Sequence, residues 1–184
     1  VAGMVYAFKA AGAAAERMMS LEEVAGVAQK ALDNIRTMGV ALSPCIVPQV
    51  GEPTFQIEDD EIEIGMGIHG EKGIEVRKMM TADEVAETLV GRITEDMPLA
   101  EGDEVSVLVN GLGATPMEEQ LIVYRRVHEL LNDMGVKVVM PHVGEYATSM
   151  EMAGLSVTIF KLDEQLKELL LSPAKTPFYT NLNK

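Results

Sequence analysis

The sequence predicts an α/β domain of the α+β type: a mixed β-sheet covered by helices, with an N-terminal helical pair. Three observations predict it. Stretches of period-two alternation interleave with stretches whose apolar residues recur at three- and four-residue steps. Ser/Thr-x-x-Glu signals, in which a hydroxyl and a carboxylate each satisfy a free backbone N–H, open several helical stretches. The connections do not form a regular β-α-β series, so the sheet is expected to be mixed rather than purely parallel.

Residues 4–17 are Ala-rich, with Met4, Phe8, Ala11 and Ala15 as the expected inward stripe. Ser20 and Glu23 cap a second helix whose expected buried face is Leu21, Val24, Ala28, Leu32 and Ile35, with Gly39 as its stop. Residues 40–42 read as a short strand. Pro44, Pro48, Gly51 and Pro53 make 43–60 a loop. Residues 61–68 alternate strictly, with Ile62, Ile64, Met66 and Ile68 on one face and Glu61, Glu63, Gly65 and Gly67 on the other. Thr81 and Glu84 open a helix through about Ile93. Glu104–Asn110 is a strand with Val105, Val107 and Val109 on one face. Thr115-Pro116-Met117-Glu118 predicts a third capping box, with Leu121, Tyr124, Val127 and Leu131 inward and Gly135 as the stop. Strands at 136–140 and 155–162, a helix at 163–171 and an extended tail complete the chain. It reads as one unit: a helical lead-in (1–38), a sheet-and-helix core (39–171) and a tail (172–184).

At 184 residues, 47% of them apolar, the chain is long enough to bury a core and too apolar to be a disordered acidic tail. With 15 Lys and Arg against 29 Asp and Glu, its net charge is −14, which argues against nucleic acid and anionic membranes as partners. No apolar run approaches the roughly 18 residues of a membrane span. One cysteine, Cys45, excludes an internal disulfide. Val1 opens inside an apolar segment with no cap before it, and reads as a chain cut into rather than begun.

The strongest chemical feature is Gly65-Met66-Gly67-Ile68-His69-Gly70-Glu71-Lys72-Gly73. By strand parity His69 shares a face with Gly65 and Gly67, so bare backbone flanks its imidazole. Such a histidine can approach a small molecule closely and act as nucleophile or general base; the plainer alternative is a turn histidine after a Gly-rich strand. Asn110 to Pro116 forms a second Gly-rich turn, but it lacks the Gly-Lys-Ser/Thr of a phosphate loop, and Glu118 and Glu119 would repel an anion. A tight turn is the plainer reading there. His128 reads as a surface residue, His142 as a strand-end residue for which lining a cleft is the less favoured alternative, and Cys45 as a buried inert thiol. The three histidines have no metal-binding spacing, so no metal site is expected.

The stretch from Gly65 to Ile74 resembles the G-x-G-I-H-G-E-x-G-I signature of the dihydroxyacetone kinase K subunit. Val1-Ala2-Gly3 with Lys9–Glu16, Gly39–Cys45, Asn110–Pro116 and Tyr146–Gly154 resemble further stretches of that family, in the same order. The resemblance implies a two-layer domain and a homodimer. It also implies that His69 bonds covalently to the carbonyl carbon of dihydroxyacetone as a hemiaminal, with Gly67 and Gly70 at the substrate. The family's Gly-Gly-Ser-Gly-His-Glu-Pro-like loop and its general-base aspartate are not found in this sequence. The chain therefore resembles the C-terminal half of the subunit, and an isolated copy is expected to be inactive. No cofactor is expected on it; ATP or ADP and magnesium are implied for a partner L subunit or L domain. The other implied partners are dihydroxyacetone and the N-terminal half of the K subunit. A non-catalytic paralogue that senses dihydroxyacetone as a transcriptional co-regulator fits the same residues. Either protein is expected in the cytoplasm.

Overall fold

The structure is a computed structural model that describes residues 1–46, 48, 49, 51–68 and 71–182. Helices α1 (Met4–Glu16) and α2 (Leu21–Asp33) open the chain, followed by strands β1 (Ile35–Ala41), β2 (Glu61–Ile64) and β3 (Glu75–Lys78). Then come α3 (Ala82–Asp96), β4 (Glu104–Gly111), α4 (Met117–Asp133), β5 (Lys137–Gly144), β6 (Gly154–Leu162) and α5 (Glu164–Leu171). A short hairpin of β7 (Ala174–Lys175) and β8 (Thr180–Asn181) follows. The main sheet has the order β3-β2-β1-β6-β4-β5; β4 and β5 are parallel and every other neighbouring pair is antiparallel. The expected mixed sheet covered by helices is therefore present.

Two of the capping boxes form as read. Glu23 N–H donates to Ser20 Oγ (3.3 Å) while Ser20 N–H donates to Glu23 Oε2 (2.7 Å). Thr81 and Glu84 repeat the exchange at α3. The third box does not form. Pro116 occupies the cap position, and the Thr115 hydroxyl is engaged elsewhere: it donates to Gly154 O (2.7 Å) and accepts from Gly154 N–H (2.8 Å). A tertiary partner with both a donor and an acceptor displaces the local cap. Asp163 caps α5 through Leu166 N–H at 2.8 Å.

Helices α3 and α4 cover one sheet face, packing Leu89, Ile93, Val127 and Leu131 against Val105, Val107, Val157 and Ile159. On the opposite face α1, α2 and α5 cover Leu108, Phe160 and Leu162. The N-terminal pair is thus not a lead-in to a two-layer sandwich but part of a third layer. The reason lies in β4 and β6, which are buried on both faces, with Leu108, Phe160 and Leu162 on the side opposite the valines.

Several finer expectations are corrected. Helix α1 buries Tyr6, Ala7, Lys9, Ala10 and Ala14, whereas Phe8 is 71% exposed. An almost wholly apolar helix offers more than one three-four stripe, and the face of small residues wins because it lets α1 approach its neighbours closely. Helix α2 buries Val27 and Ala31, leaving Leu21 exposed, and α4 buries Gln120 and Val123 rather than Leu121. Gly39 stops no helix: it lies within β1, opposite Ser156. Strand β2 ends at Ile64, four residues before the alternation does, and β3 is an edge strand that the sequence reading missed.

Beneath α1 lies a polar chain. The Ser106 hydroxyl donates toward Tyr6 Oη (2.8 Å) and the Met140 carbonyl. Tyr6 Oη lies 3.2 Å from His142 Nδ1, and the Tyr179 hydroxyl lies 3.3 Å from Nε2. The imidazole is neutral in this chain, and burial pushes His142 down to about 4. An unfolded histidine takes up its proton near pH 6.5, so the unfolded state binds more protons between pH 6.5 and 4. Stability contributed by neutral His142 is present above pH 6.5 and is lost as pH falls through that window. We expect the native protein to lose about 2–3 kcal/mol more than His142→Gln between pH 7 and 4.5 in urea unfolding. Parallel losses in the two proteins would refute this assignment.

Candidate functional site

Four stretches far apart in sequence meet at one end of the sheet, where β1 and β4 finish and β2 and β6 begin. Leu42 N–H and Ser43 N–H both donate to Ala153 O, and Ala153 N–H donates to Ser43 Oγ at 3.0 Å. Ala114 N–H donates to Met152 O, and Leu112 N–H to Gly154 O. Gly65 N–H donates to Gly39 O at 2.7 Å. Ala41, Cys45, Met66, Leu112 and Met152 close this end as a small apolar cluster, with Phe55 and Ile68 packed on it. Ligands in open α/β sheets gather at the carboxyl ends of strands, which is where these loops converge.

The segment between β2 and β3 is an excursion held at a narrow neck. Ile74 N–H donates to Ile64 O (2.8 Å), Gly73 N–H to the buried Glu63 carboxylate (2.6 Å), and Gly67 N–H to Glu71 O (3.2 Å). Gly65 takes φ +84° to turn the chain out of β2, a conformation that side chains disfavour. At Gly67 a Cβ would fall 2.1 Å from Glu71 Oε2, so the neck is tight because that side chain is missing. Of the residues assigned to the site, Gly67 is described and half-buried. His69 and Gly70 lie outside the described residues.

The sheet row leading to this neck is polar on the α1 side. Ser156 pairs with Gly39 on one flank and Asn110 on the other. Its hydroxyl is buried and has no partner among the described residues. Asn110 is fully buried and saturated: its amide donates to Gly111 O (3.0 Å) and Ala147 O (2.8 Å), and its oxygen accepts from Tyr146 N–H and Ala147 N–H (2.8 Å each). The second Gly-rich turn spends the N–H groups of Leu112 and Ala114 on the carbonyls of Gly154 and Met152, so these are not free for a phosphate.

The remaining sequence candidates fall away from this site. His128 is exposed on α4, with its ring 6.0 Å from that of Tyr124. His142 belongs to the polar chain under α1. Cys45 is buried, with its sulfur 3.9 Å from Glu151 Oε2. No cluster of three or more His, Cys, Asp or Glu able to hold a metal occurs among the described residues. No helix among them is long and apolar enough to cross a membrane.

The molecule is an α/β domain in which the loops of a helix-covered mixed sheet converge beside one pinned, glycine-bounded segment. The chain belongs to the Dak1 domain family, whose match covers residues 1–178. It is 51% identical over 177 residues to the dihydroxyacetone-binding subunit of PTS-dependent dihydroxyacetone kinase 1 from Listeria innocua, covering 96% of this chain and 54% of that one. Among solved structures it is similar to the dihydroxyacetone kinase operon co-activator DhaQ, with a TM-score of 0.87 and 32% identity over 94% of this chain and 54% of that one. It is also similar to the dihydroxyacetone kinase of C. freundii, with a TM-score of 0.86 and 29% identity over 97% of this chain and 32% of that one. The chain therefore spans about half the length of the dihydroxyacetone-binding subunits it matches.

Proposed function

We propose that this chain is the part of a dihydroxyacetone kinase K subunit that captures dihydroxyacetone on His69. One observation carries the reading: a chain 51% identical to a dihydroxyacetone-binding subunit keeps its one Gly-flanked histidine inside an excursion pinned at both ends. Neutral imidazole nitrogen adds to the C2 carbonyl carbon. The N–C bond forms as the C=O π bond opens, the oxygen gains a proton and the ring gives one up, so no water leaves. Alcohols such as glycerol have no carbonyl and cannot be held this way, so covalent capture selects substrate and orients the terminal hydroxyl for phosphorylation. In this reading Gly67 and Gly70 belong to the substrate site together with His69. The N-terminal half of the subunit completes the site, and an L subunit or L domain carries the phosphoryl donor, with ATP or ADP and magnesium on that partner. Homodimerisation and a cytoplasmic location belong to the same reading.

The test is intact-mass measurement with dihydroxyacetone on the chain completed by its N-terminal half. The expected shift equals the whole ligand mass, and it disappears in His69→Ala. An unshifted mass, or an adduct that survives the substitution, refutes the reading. The likeness to an operon co-activator favours a second one, a sensor that captures the ligand and transfers nothing. With the L partner and its donor present, adduct without dihydroxyacetone phosphate would identify the sensor.

A further inference from the structure

On the helical side of the molecule a trench of about 660 Å³ runs between α1, the segment at Tyr146 and Ala147, and the β7–β8 hairpin. Met4 and Phe8 form one wall; Tyr146, Phe178 and Tyr179 form the other. The aromatic wall is ordered edge to face, with Tyr146 5.8 Å from Phe178 and 6.4 Å from Tyr179 between ring centroids. Phe8 and Phe178 are 71% and 66% exposed, so two large aromatic faces stand open to one apolar channel. A channel of this volume suits a small organic molecule.

Its charges differ from most on the chain. Most described lysines and arginines pair with carboxylates, as a net charge of −14 would lead one to expect. Lys9 and Lys175, which both line the trench, have no carboxylate partner among the described residues. Among the described residues Lys9 Nζ donates only to Leu169 O, at 2.8 Å, although an ammonium has three hydrogens to place. Burial, with Arg17 nearby, pushes Lys9 down to about 8. Arg17 is itself paired with Glu168. Among the described residues the one carboxylate lining the trench, Glu16, lies two helical turns beyond Lys9, about 10 Å along the axis.

We propose that this trench binds an aryl-alkyl carboxylate, with the apolar body between Phe8 and the Tyr146–Phe178 wall and the carboxylate on Lys9 Nζ, Lys175 providing a second positive charge. The proposal does not depend on His69. It is tested by calorimetric titration of the protein with phenylbutyrate and with neutral phenylbutanol. Saturable one-site binding is expected, tighter for the acid by about tenfold, the worth of one ion pair in a partly dry site. Lys9→Met should remove that preference and leave the alcohol unchanged, Lys9→Arg should keep it, and Phe8→Ser should weaken both ligands. Near pH 8 binding should take up a proton as Lys9 becomes fully charged, so the heat should follow the ionisation enthalpy of the buffer. A merely structural lysine would not produce that dependence. No saturable binding, equal affinity for acid and alcohol, or an acid preference that persists in Lys9→Met would each overturn the proposal. So would binding that is lost when the chain is extended to the full length of its relatives, since the trench would then be an internal interface.

Discussion

Gly154→Ala should destabilise the protein by about 3 kcal/mol or more. Gly154 opens β6 at φ +148°, and a Cβ there would fall 2.2 Å from Val40 O and 3.0 Å from Ala41 Cα. Both obstacles are backbone of the paired strand, so no side chain can swing aside. Retreat is blocked as well. Gly154 N–H and O both bond the Thr115 hydroxyl, and Leu112 N–H donates to the same carbonyl. Moving Gly154 away from Val40 therefore costs the pairing between β1 and β6 and the anchor of the turn before α4. Gly91→Ala is the contrasting control. It lies in α3 with nothing within 4 Å of a Cβ, and should stabilise by about 0.5–1 kcal/mol through helix propensity. Urea unfolding of both proteins checks the pair. A Gly154→Ala midpoint equal to that of the native chain would show that the close approach carries no cost.

Asn110→Ala should cost a similar amount, about 3–4 kcal/mol, for a different reason. The side chain fills four hydrogen bonds in a fully buried place, two as donor and two as acceptor. Alanine leaves Tyr146 N–H, Ala147 N–H and two carbonyls without that partner. The loss should appear first in hydrogen exchange at Tyr146 and Ala147, ahead of any change in α3. Asn110→Asp separates polarity from size. Its carboxylate still accepts from the two N–H groups but turns its second oxygen toward Gly111 O and Ala147 O, where the amide donated. The charged form is disfavoured in the folded state, so its pKa should rise there. Stability is then recovered as pH falls and the acid regains a donor. A pH-independent deficit in Asn110→Asp would contradict this account.

The parts of the fold legible in the sequence were those settled within one or two turns of chain. Ser20 and Thr81 cap their helices because their partners sit three residues away. Strands β4 and β6 were legible from their β-branched residues. What was illegible depended on distant neighbours. Thr115 has a cap-like local sequence but is taken by Gly154, and Phe8 lost its inward place to small residues one turn away. The third layer was hidden because Leu108 and Phe160 point opposite to the valines and isoleucine used to place the sheet. For the site, motif order along the chain was readable, and Gly67 was marked by its spacing. The meeting of residues 39–45, 65–73, 110–116 and 146–154 at one end was not, since it arises from hydrogen bonds between them. The buried Ser156 hydroxyl carried no sequence signal: a serine in an apolar strand looks like any tolerated small residue.

Strand order also governs when this molecule can assemble. Strand β6 joins β3-β2-β1 to β4-β5; neither group of strands touches the other without it. Ile35 waits for Phe160, about 125 residues later in synthesis, which at ribosomal speeds of roughly 5–20 residues per second is on the order of 6–25 s. Until then β1 and β4 present open, apolar edges, and α1 has no Phe160 to lie upon. The chain's folding should behave as a late, single closure set by the arrival of one strand rather than as growth from the N-terminus.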